Sequence, residues 1–152
     1  MPDAIVAFWL LHAPVLSVLL PLFTAVVLLL IGDGGGMAGQ GGAHDDVSLR
    51  WRRRIAVTST LLGLGMALGL VAHAEAGELL VYRLGEWPAP FGIVMVVDRL
   101  SALMVLLVQA VALPVVWYAT GGWDCRGRYF HALFQFQLMG LNGAFLTGDL
   151  FN

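Results

Sequence analysis

The segment from residue 129 to residue 148 is apolar overall but contains side chains that can handle protons. His131, Gln135 and Asn142 lie within it, and Asp149 follows it directly. On an α-helix that turns about 100° per residue, these four side chains fall within about 40° of one another, and the helix rises about 27 Å from the first to the last. The spacing therefore predicts one polar stripe along a single helix face.

Two interpretations of this polar stripe are open from the sequence. Polar groups at membrane depth usually face a bundle interior or a water-filled cavity, so the stripe could line a hydrated route for protons or cations. Alternatively, it forms a hydrogen-bonded seam between helices. In that case Asp149 caps a following helix, and His131, near Arg126 and Arg128, lies at the membrane interface. We favour the cap for Asp149 and the interfacial position for His131.

No other site chemistry has support in the sequence. Cys125 is the single cysteine and has no Cys or His neighbour at metal-ligand spacing. The glycine-rich segment lacks the strand, the lysine and the helix of a phosphate-binding loop. A net charge of -2 without a basic patch argues against nucleic acid. We therefore expect no catalytic residue, no cofactor and no metal site.

The composition indicates that lipid surrounds most of the chain. Hydrophobic residues make up 59% of the sequence and charged residues 12%, whereas soluble domains carry about 25% charged residues. The apolar positions form long uninterrupted runs, each near the roughly 20 residues that cross a bilayer. We predict an all-α integral membrane protein, a single membrane region over residues 1–152 with about four transmembrane helices.

The predicted elements follow from the charge-free runs and the breaks between them. Glycine and charge mark residues 32–54 as a loop, and short β-prone runs in residues 75–96 predict a β-hairpin lying outside the bilayer between the second and third helices. Asp98 and Arg99, at the start of the third helix, are expected to have a structural role. Gly65 and Gly69 form a GxxxG pair that could pack against a neighbouring helix. The predicted transmembrane helices cover residues 4–31, 55–74, 97–120 and 129–148.

The arginines predict the orientation, because positive residues accumulate in cytoplasmic loops. The first loop contains four arginines and the third loop two, whereas none precedes the first helix and the longer second loop has two. The first and third loops are therefore expected in the cytoplasm. The amino terminus and the hairpin are then extracytoplasmic in a multi-pass protein of the bacterial inner (cell) membrane.

The carboxyl-terminal part of the sequence resembles a known transporter family. The stretch Arg126–Asn152, RGRYFHALFQFQLMGLNGAFLTGDLFN, resembles the D subunit of the multisubunit Mrp/Pha-type monovalent cation/proton antiporters. Val97–Met104, VDRLSALM, resembles the start of the third helix in that family. The wider superfamily includes the antiporter-like membrane subunits of NADH:quinone oxidoreductase.

This resemblance implies a secondary transporter subunit rather than an enzyme. Its partners would be the other subunits of an antiporter complex, the lipid bilayer, and sodium or potassium ions and protons. The complex would use the proton gradient for cation efflux and pH homeostasis. Family members have about 14 helices arranged as inverted repeats, so the resemblance implies that this chain is an amino-terminal portion. No catalytic residue of the family falls on a position of this sequence, and we expect no ion flux from the chain alone.

Two alternatives to this function remain. The same helices would serve in a proton-pumping membrane subunit of a respiratory NADH:quinone oxidoreductase or a related hydrogenase complex. The chain could instead be a structural membrane subunit that packs against a larger partner and transports nothing.

Overall fold

The described part of the chain consists of four α-helices and one two-stranded antiparallel sheet. The computed structural model describes residues 2–32, 43–77, 79–83, 94–127 and 129–148, with side chains from residue 12 onward except those of 43–46. In chain order the elements are α1 (Pro2–Ile31), α2 (Ala43–Glu75), β1 (Leu80–Arg83), β2 (Val94–Val97), α3 (Arg99–Ala119), a 3-10 turn (Trp123–Cys125) and α4 (Phe130–Leu146).

The second helix begins earlier than the sequence predicts. The loop predicted over residues 32–54 is wrong from Ala43 onward, because α2 starts there and carries the arginine cluster on its first turns. Charge excludes a segment from lipid but does not prevent a helix, and the stretch from Ala43 to Leu62 contains neither glycine nor proline. The rest of the glycine-rich loop, residues 33–42, lies outside the described residues. The ends of α1, α3 and α4 differ from the predicted ones by at most two residues.

Three of the helices are long and apolar enough to cross a membrane. These segments are His12–Ile31, Val47–Glu75 and Arg99–Ala119. Helix α4 has 17 residues and is shorter than the other three. Length and composition thus indicate a mostly helical, multi-pass membrane protein.

Two apolar clusters form the interior of the bundle. Helix α1 packs against α2 and α4, and α3 packs against the same two helices. One cluster lies at the end of the bundle next to the sheet, which we call the hairpin end, and the other at the end next to the 3-10 turn, which we call the turn end. The hairpin-end cluster contains Ala67, Leu70, Ala74, Val97, Ala102, Val105 and Leu146, and the turn-end cluster contains Leu28, Ala56, Val116 and Ala132.

The sheet joins the hairpin end to α1 and α4. Leu80 pairs with Val97 and Arg83 with Val94 in the antiparallel register. The backbone N–H of Gly148 donates to the carbonyl of Val94 at 2.9 Å, which continues the sheet past the end of α4. The predicted hairpin thus has both of its strands, although residues 84–93 between them lie outside the described residues.

Helix α3 begins with a capping box. The Ser101 backbone N–H donates to Asp98 Oδ1 at 2.6 Å, and the Asp98 backbone N–H donates to Ser101 Oγ at 2.9 Å. These bonds satisfy two backbone donors at the helix start. Arg99 Nε donates to the carbonyl of Ala74 on α2 at 3.4 Å. Asp98 and Arg99 therefore have the structural roles that were expected of them.

The close contact between α2 and α3 occurs at Gly63 rather than at the GxxxG pair. A Cβ on Gly63 would lie 2.9 Å from Oε1 of Gln109. A Cβ on Gly65 or on Gly69 would meet no described atom within 4 Å. The pair therefore does not pack within the described chain.

Candidate functional site

The structure brings three of the four predicted stripe residues to the buried face of α4. His131 is 4% exposed, and Gln135 and Asn142 are fully buried. Asp149 lies outside the described residues. The 3.6-residue period of the helix places these side chains on one face, but only the neighbouring helices determine their partners.

Gln135 lies at the centre of a polar layer between the two apolar clusters. Its Nε2 donates to the carbonyl of Ala56 at 3.1 Å and to Thr60 Oγ1 at 3.3 Å. Its Oε1 accepts from Ser59 Oγ at 3.4 Å. Ser59 Oγ also shares a hydrogen bond of 2.9 Å with Thr24 Oγ1. We call Thr24, Ser59, Thr60 and Gln135 the middle polar layer, which links α1, α2 and α4.

Gln109 brings a polar group from α3 close to this layer. It is 2% exposed and its amide lies against Gly63, one helical turn from Thr60. Its Oε1 has no hydrogen-bond partner among the described residues. The sequence analysis did not single out Gln109, although a lone glutamine in a charge-free span is a usable signal.

Asn142 compensates for a proline on another helix. Pro21 has no N–H, so the carbonyl of Ser17 lacks its helical donor four residues later. Asn142 Nδ2 donates to that carbonyl at 2.8 Å. A freed carbonyl in a membrane helix needs such a partner, because lipid supplies none.

A charged cluster at the turn end contains the carboxyl group of Asp124. Arg53 donates to it with both Nε and Nη2, at 2.6 Å from Oδ2 and 2.8 Å from Oδ1. His131 Nε2 lies 2.9 Å from the same Oδ2. The Asp124 side chain is fully buried and that of Arg53 is 26% exposed. We call Arg53, Asp124 and His131 the Asp124 cluster; it joins α2, the 3-10 turn and α4.

The charge state of Asp124 follows from its partners. Burial by itself raises the pKa of a carboxyl group, but the hydrogen bonds from Arg53 and His131 outweigh this effect and hold the pKa of Asp124 below its ordinary value. The group is therefore an ionised acceptor at neutral pH.

Sequence reasoning missed both Arg53 and Asp124 as members of a site. They are 71 residues apart. The sequence signals were an acidic residue between two apolar helices and an arginine-rich segment before the second apolar helix. His131, which we expect at the membrane interface, lies in the first turn of α4 and is buried against Asp124.

Cys125 is exposed beside this cluster. Its Sγ lies 3.6 Å from Asp124 Oδ1 and 3.6 Å from Arg53 Nη2. Partial desolvation of the sulfur atom and the neighbouring Asp124 carboxylate raise the pKa of the thiol. It is therefore not an activated nucleophile. Among the described residues, no group of three or more His, Cys, Asp or Glu side chains could hold a metal ion.

These contacts form hydrogen-bonded groups that link neighbouring elements. Ala56 and Ala132 of the turn-end cluster separate the middle polar layer from the Asp124 cluster, and the hairpin-end cluster borders it on the other side. Each stripe residue that the structure describes has a partner on another element. The arrangement can hold the helices in register, and it leaves buried acceptors on Gln109, His131 and Asn142.

The chain is similar in sequence to proteins of two kinds. It is 46% identical over 147 residues to the D subunit of a probable K(+)/H(+) antiporter of Rhizobium meliloti (strain 1021), an alignment that covers 95% of this chain and 25% of the relative. It is 34% identical over 150 residues to the N subunit of the NADH-quinone oxidoreductase of Desulforudis audaxviator (strain MP104C), covering 93% of this chain and 26% of the relative. The chain thus spans about a quarter of the length of these relatives. No family model matches it.

The fold is also similar to that of a solved structure. A polypeptide in the structure of the Mrp complex from Dietzia sp. DQ12-45-1b superposes with a TM-score of 0.66 and 28% sequence identity. The match covers 90% of this chain and 24% of that one.

Proposed function

We propose that this chain, a homologue of the antiporter D subunits over most of its own length, is an amino-terminal part of a membrane subunit. The complex to which that subunit belongs is a multisubunit sodium or potassium/proton antiporter. The observation that carries this proposal is the 46% identity over 95% of the chain. The fold similarity to a polypeptide of an Mrp complex supports it independently. In this function the complex uses the proton gradient for cation efflux and pH homeostasis.

The proposal includes a topology of four transmembrane helices. Helix α4, with 17 residues, rises about 26 Å, which is close to the roughly 30 Å of a hydrocarbon core. The distribution of arginines supports a cytoplasmic turn end, where Arg53 and Arg126 lie. The amino terminus and the hairpin are then outside the cytoplasm, in the bacterial inner membrane.

Within such a complex, the four helices form a scaffold fastened by polar side chains. Gln135 and Asn142 hold α4 against α1 and α2, as expected for the seam interpretation of the stripe. The sequence contains no lysine and the described interior contains no ion pair except at the Asp124 cluster. Coupled exchange therefore requires the other subunits of the complex and the rest of a full-length subunit.

Antiport in everted membrane vesicles tests the proposal. Vesicles from cells that express the whole antiporter operon with this chain should dissipate a respiration-generated proton gradient when sodium or potassium is added. An in-frame deletion of residues 1–152 should abolish that response. Normal antiport by the deletion strain would contradict the proposal.

The similarity to an N subunit of an oxidoreductase supports a second candidate, a proton-pumping subunit of a respiratory complex. Affinity purification of the tagged chain distinguishes the two. Copurification with other antiporter subunits supports the first function, whereas copurification with a flavin- or quinone-containing arm supports the second.

A non-transporting structural subunit is the third candidate. The chain reconstituted alone in liposomes is expected to show no cation-dependent proton flux under either of the first two functions. The structural interpretation requires in addition that the whole complex keep its antiport rate when the chain is removed.

A further inference from the structure

His131 combines a fixed partner on one ring nitrogen with a buried, unpaired second nitrogen. Its Nε2 lies 2.9 Å from Asp124 Oδ2. Its Nδ1 is buried and has no hydrogen-bond partner among the described residues. The whole residue is 4% exposed, so protein atoms surround most of the ring.

The Asp124 carboxylate determines which nitrogen carries the hydrogen. A carboxylate only accepts hydrogen bonds, and Asp124 already accepts two from Arg53. The His131 Nε2 must therefore be the protonated nitrogen, and in the neutral ring Nδ1 carries a lone pair. A buried acceptor without a partner is unfavourable, so the site gains stability when a donor occupies it.

We propose that Nδ1 of His131 is a proton-accepting site at the turn end of the bundle, with Asp124 as the positioning residue that holds the ring. Nδ1 takes a proton from a hydronium ion, which becomes water, and forms an N–H bond. The resulting imidazolium keeps its Nε2–H bond to the carboxylate, and returning the proton to water restores the neutral ring. This inference rests on the proposed function, because it assigns the site a step in proton movement by the antiporter.

Charged groups from two elements face the ring. From the 3-10 turn, the Asp124 carboxylate favours a positive ring, whereas Arg52 and Arg53 from α2 oppose it. Cys125 lies next to the carboxylate as an uncharged thiol. Helices α1 and α3 contribute only apolar side chains to the neighbouring turn-end cluster. These are Leu28 and Val116 among the described residues.

A purely structural role of His131 makes a different prediction from a proton-accepting one. A purely structural role needs only the hydrogen bond from Nε2 to Asp124. The amide nitrogen of a glutamine at this position supplies the same donor. A proton acceptor needs Nδ1, which glutamine lacks. His131→Gln therefore removes the proposed proton-accepting function and keeps the hydrogen bond to Asp124.

The test measures the pH profile of antiport by the assembled complex in everted vesicles. With His131→Gln, we expect normal assembly and a rate at least about tenfold lower, which is less than the roughly 10²–10⁴-fold that a general acid–base group contributes in an enzyme. The limb of the pH profile that reports titration of His131 should disappear. His73→Gln, on the hairpin side of α2, is the matched control and should leave the profile unchanged. An assembled His131→Gln complex with the wild-type profile would overturn the inference.

A second measurement keeps the inference testable when His131→Gln does not assemble or when the wild-type complex shows no antiport. The complex is prepared with 15N-histidine in this chain alone and with glutamine at His12, His44 and His73, so that His131 is the only labelled imidazole. Solid-state NMR in lipid should show Nε2–H throughout and reversible protonation of Nδ1 between about pH 5 and 8. A neutral ring over the whole range would overturn the proposal. Absence of antiport with a titrating ring would contradict the proposed function alone.

Discussion

Asn142 shows why a single polar side chain can be needed in an apolar helix. Its amide replaces the helical donor that Pro21 removes from the carbonyl of Ser17, on a helix 125 residues away in sequence. Read alone, the asparagine looked like part of a proton route or of a seam. Its partner explains it as compensation for a proline in lipid, where the carbonyl would otherwise have no donor.

Gln135 and Gln137 provide a matched test of the middle polar layer. Gln135 is fully buried with three hydrogen bonds to α2, whereas Gln137 lies on the exposed face of α4. We expect Gln135→Leu to lower the free energy of unfolding of the chain in lipid by about 1–2 kcal/mol, as for other interhelical hydrogen bonds in membranes. Gln137→Leu should cause no loss. Equal losses from both variants, measured by denaturant titration in micelles, would contradict the assigned contacts.

At the scale of elements, the contact between α2 and α3 depends on the absence of a side chain at Gly63. Gln109 is 2% exposed and has little room to move away from an added methyl group. Gly65 and Gly69, which resemble a packing motif, face away from the described bundle. Their surface is open to lipid or to a neighbouring protein.

Alanine substitutions at these glycines are expected to have opposite effects. Gly63→Ala should destabilise the chain by about 1–3 kcal/mol because its Cβ would overlap the Gln109 amide. Gly65→Ala should be neutral or stabilise by up to about 1 kcal/mol, since alanine is the better helix former. In unfolding measurements the double variant Gly63→Ala with Gln109→Ala should lose less than the sum of the two single changes. An additive loss would mean that the close approach lies elsewhere.

The start of α3 carries a pH-dependent contribution to stability. Hydrogen bonds from the backbone and hydroxyl of Ser101 hold the pKa of Asp98 below its ordinary value of 3.8. The cap therefore contributes fully above about pH 3.8 and is lost as the pH falls below that value through the lowered pKa.

Asp98→Ala should lower the free energy of unfolding by about 1 kcal/mol at neutral pH, and this difference should shrink in acid. Asp98→Asn keeps a capping oxygen without a titrating group and is the control. Its stability relative to Asp98→Ala should not change between neutral and acid pH. A pH-independent difference between wild type and Asp98→Ala, in thermal unfolding followed by circular dichroism, would show that the carboxylate is not the cap.

At the scale of the whole molecule, the bundle is fastened at both ends. At the hairpin end, His12 Nδ1 lies 3.1 Å from the hydroxyl of Tyr82, and Gly148 bonds to β2. At the turn end, the Asp124 cluster joins α2, the 3-10 turn and α4. Between these ends lies a polar layer bordered by apolar side chains. The described contacts thus hold the helices together at three levels along the bundle.

The single cysteine allows the orientation of the molecule to be measured. Cys125 is exposed at the turn end, which we propose to be cytoplasmic. A membrane-impermeant maleimide should leave Cys125 unlabelled in intact cells and label it in inverted vesicles at mildly alkaline pH, because the pKa of the thiol is raised.

Leu79→Cys in a Cys125→Ser background provides the complementary control. Leu79 is 70% exposed at the hairpin end. It should be labelled in intact cells and protected in sealed inverted vesicles. The reverse pattern at the two positions would invert the proposed topology.

The amino-acid sequence by itself determined the properties that depend on neighbouring residues along the chain. Uninterrupted apolar runs indicated lipid as the solvent, and three of the four predicted spans are long and apolar enough in the structure. Local patterns also predicted the two strands. Apolar length and strand pattern need no knowledge of other elements, which is why these predictions were accurate.

Only the tertiary structure decided which distant groups meet. The pairing of Arg53 with Asp124 and the contact of Gln109 with Gly63 depend on how each helix is rotated and shifted against its neighbours. A sequence pattern fixes the face of one helix but not the face opposite it. The partners of each polar side chain, and hence its chemistry, follow from the packing of the four helices.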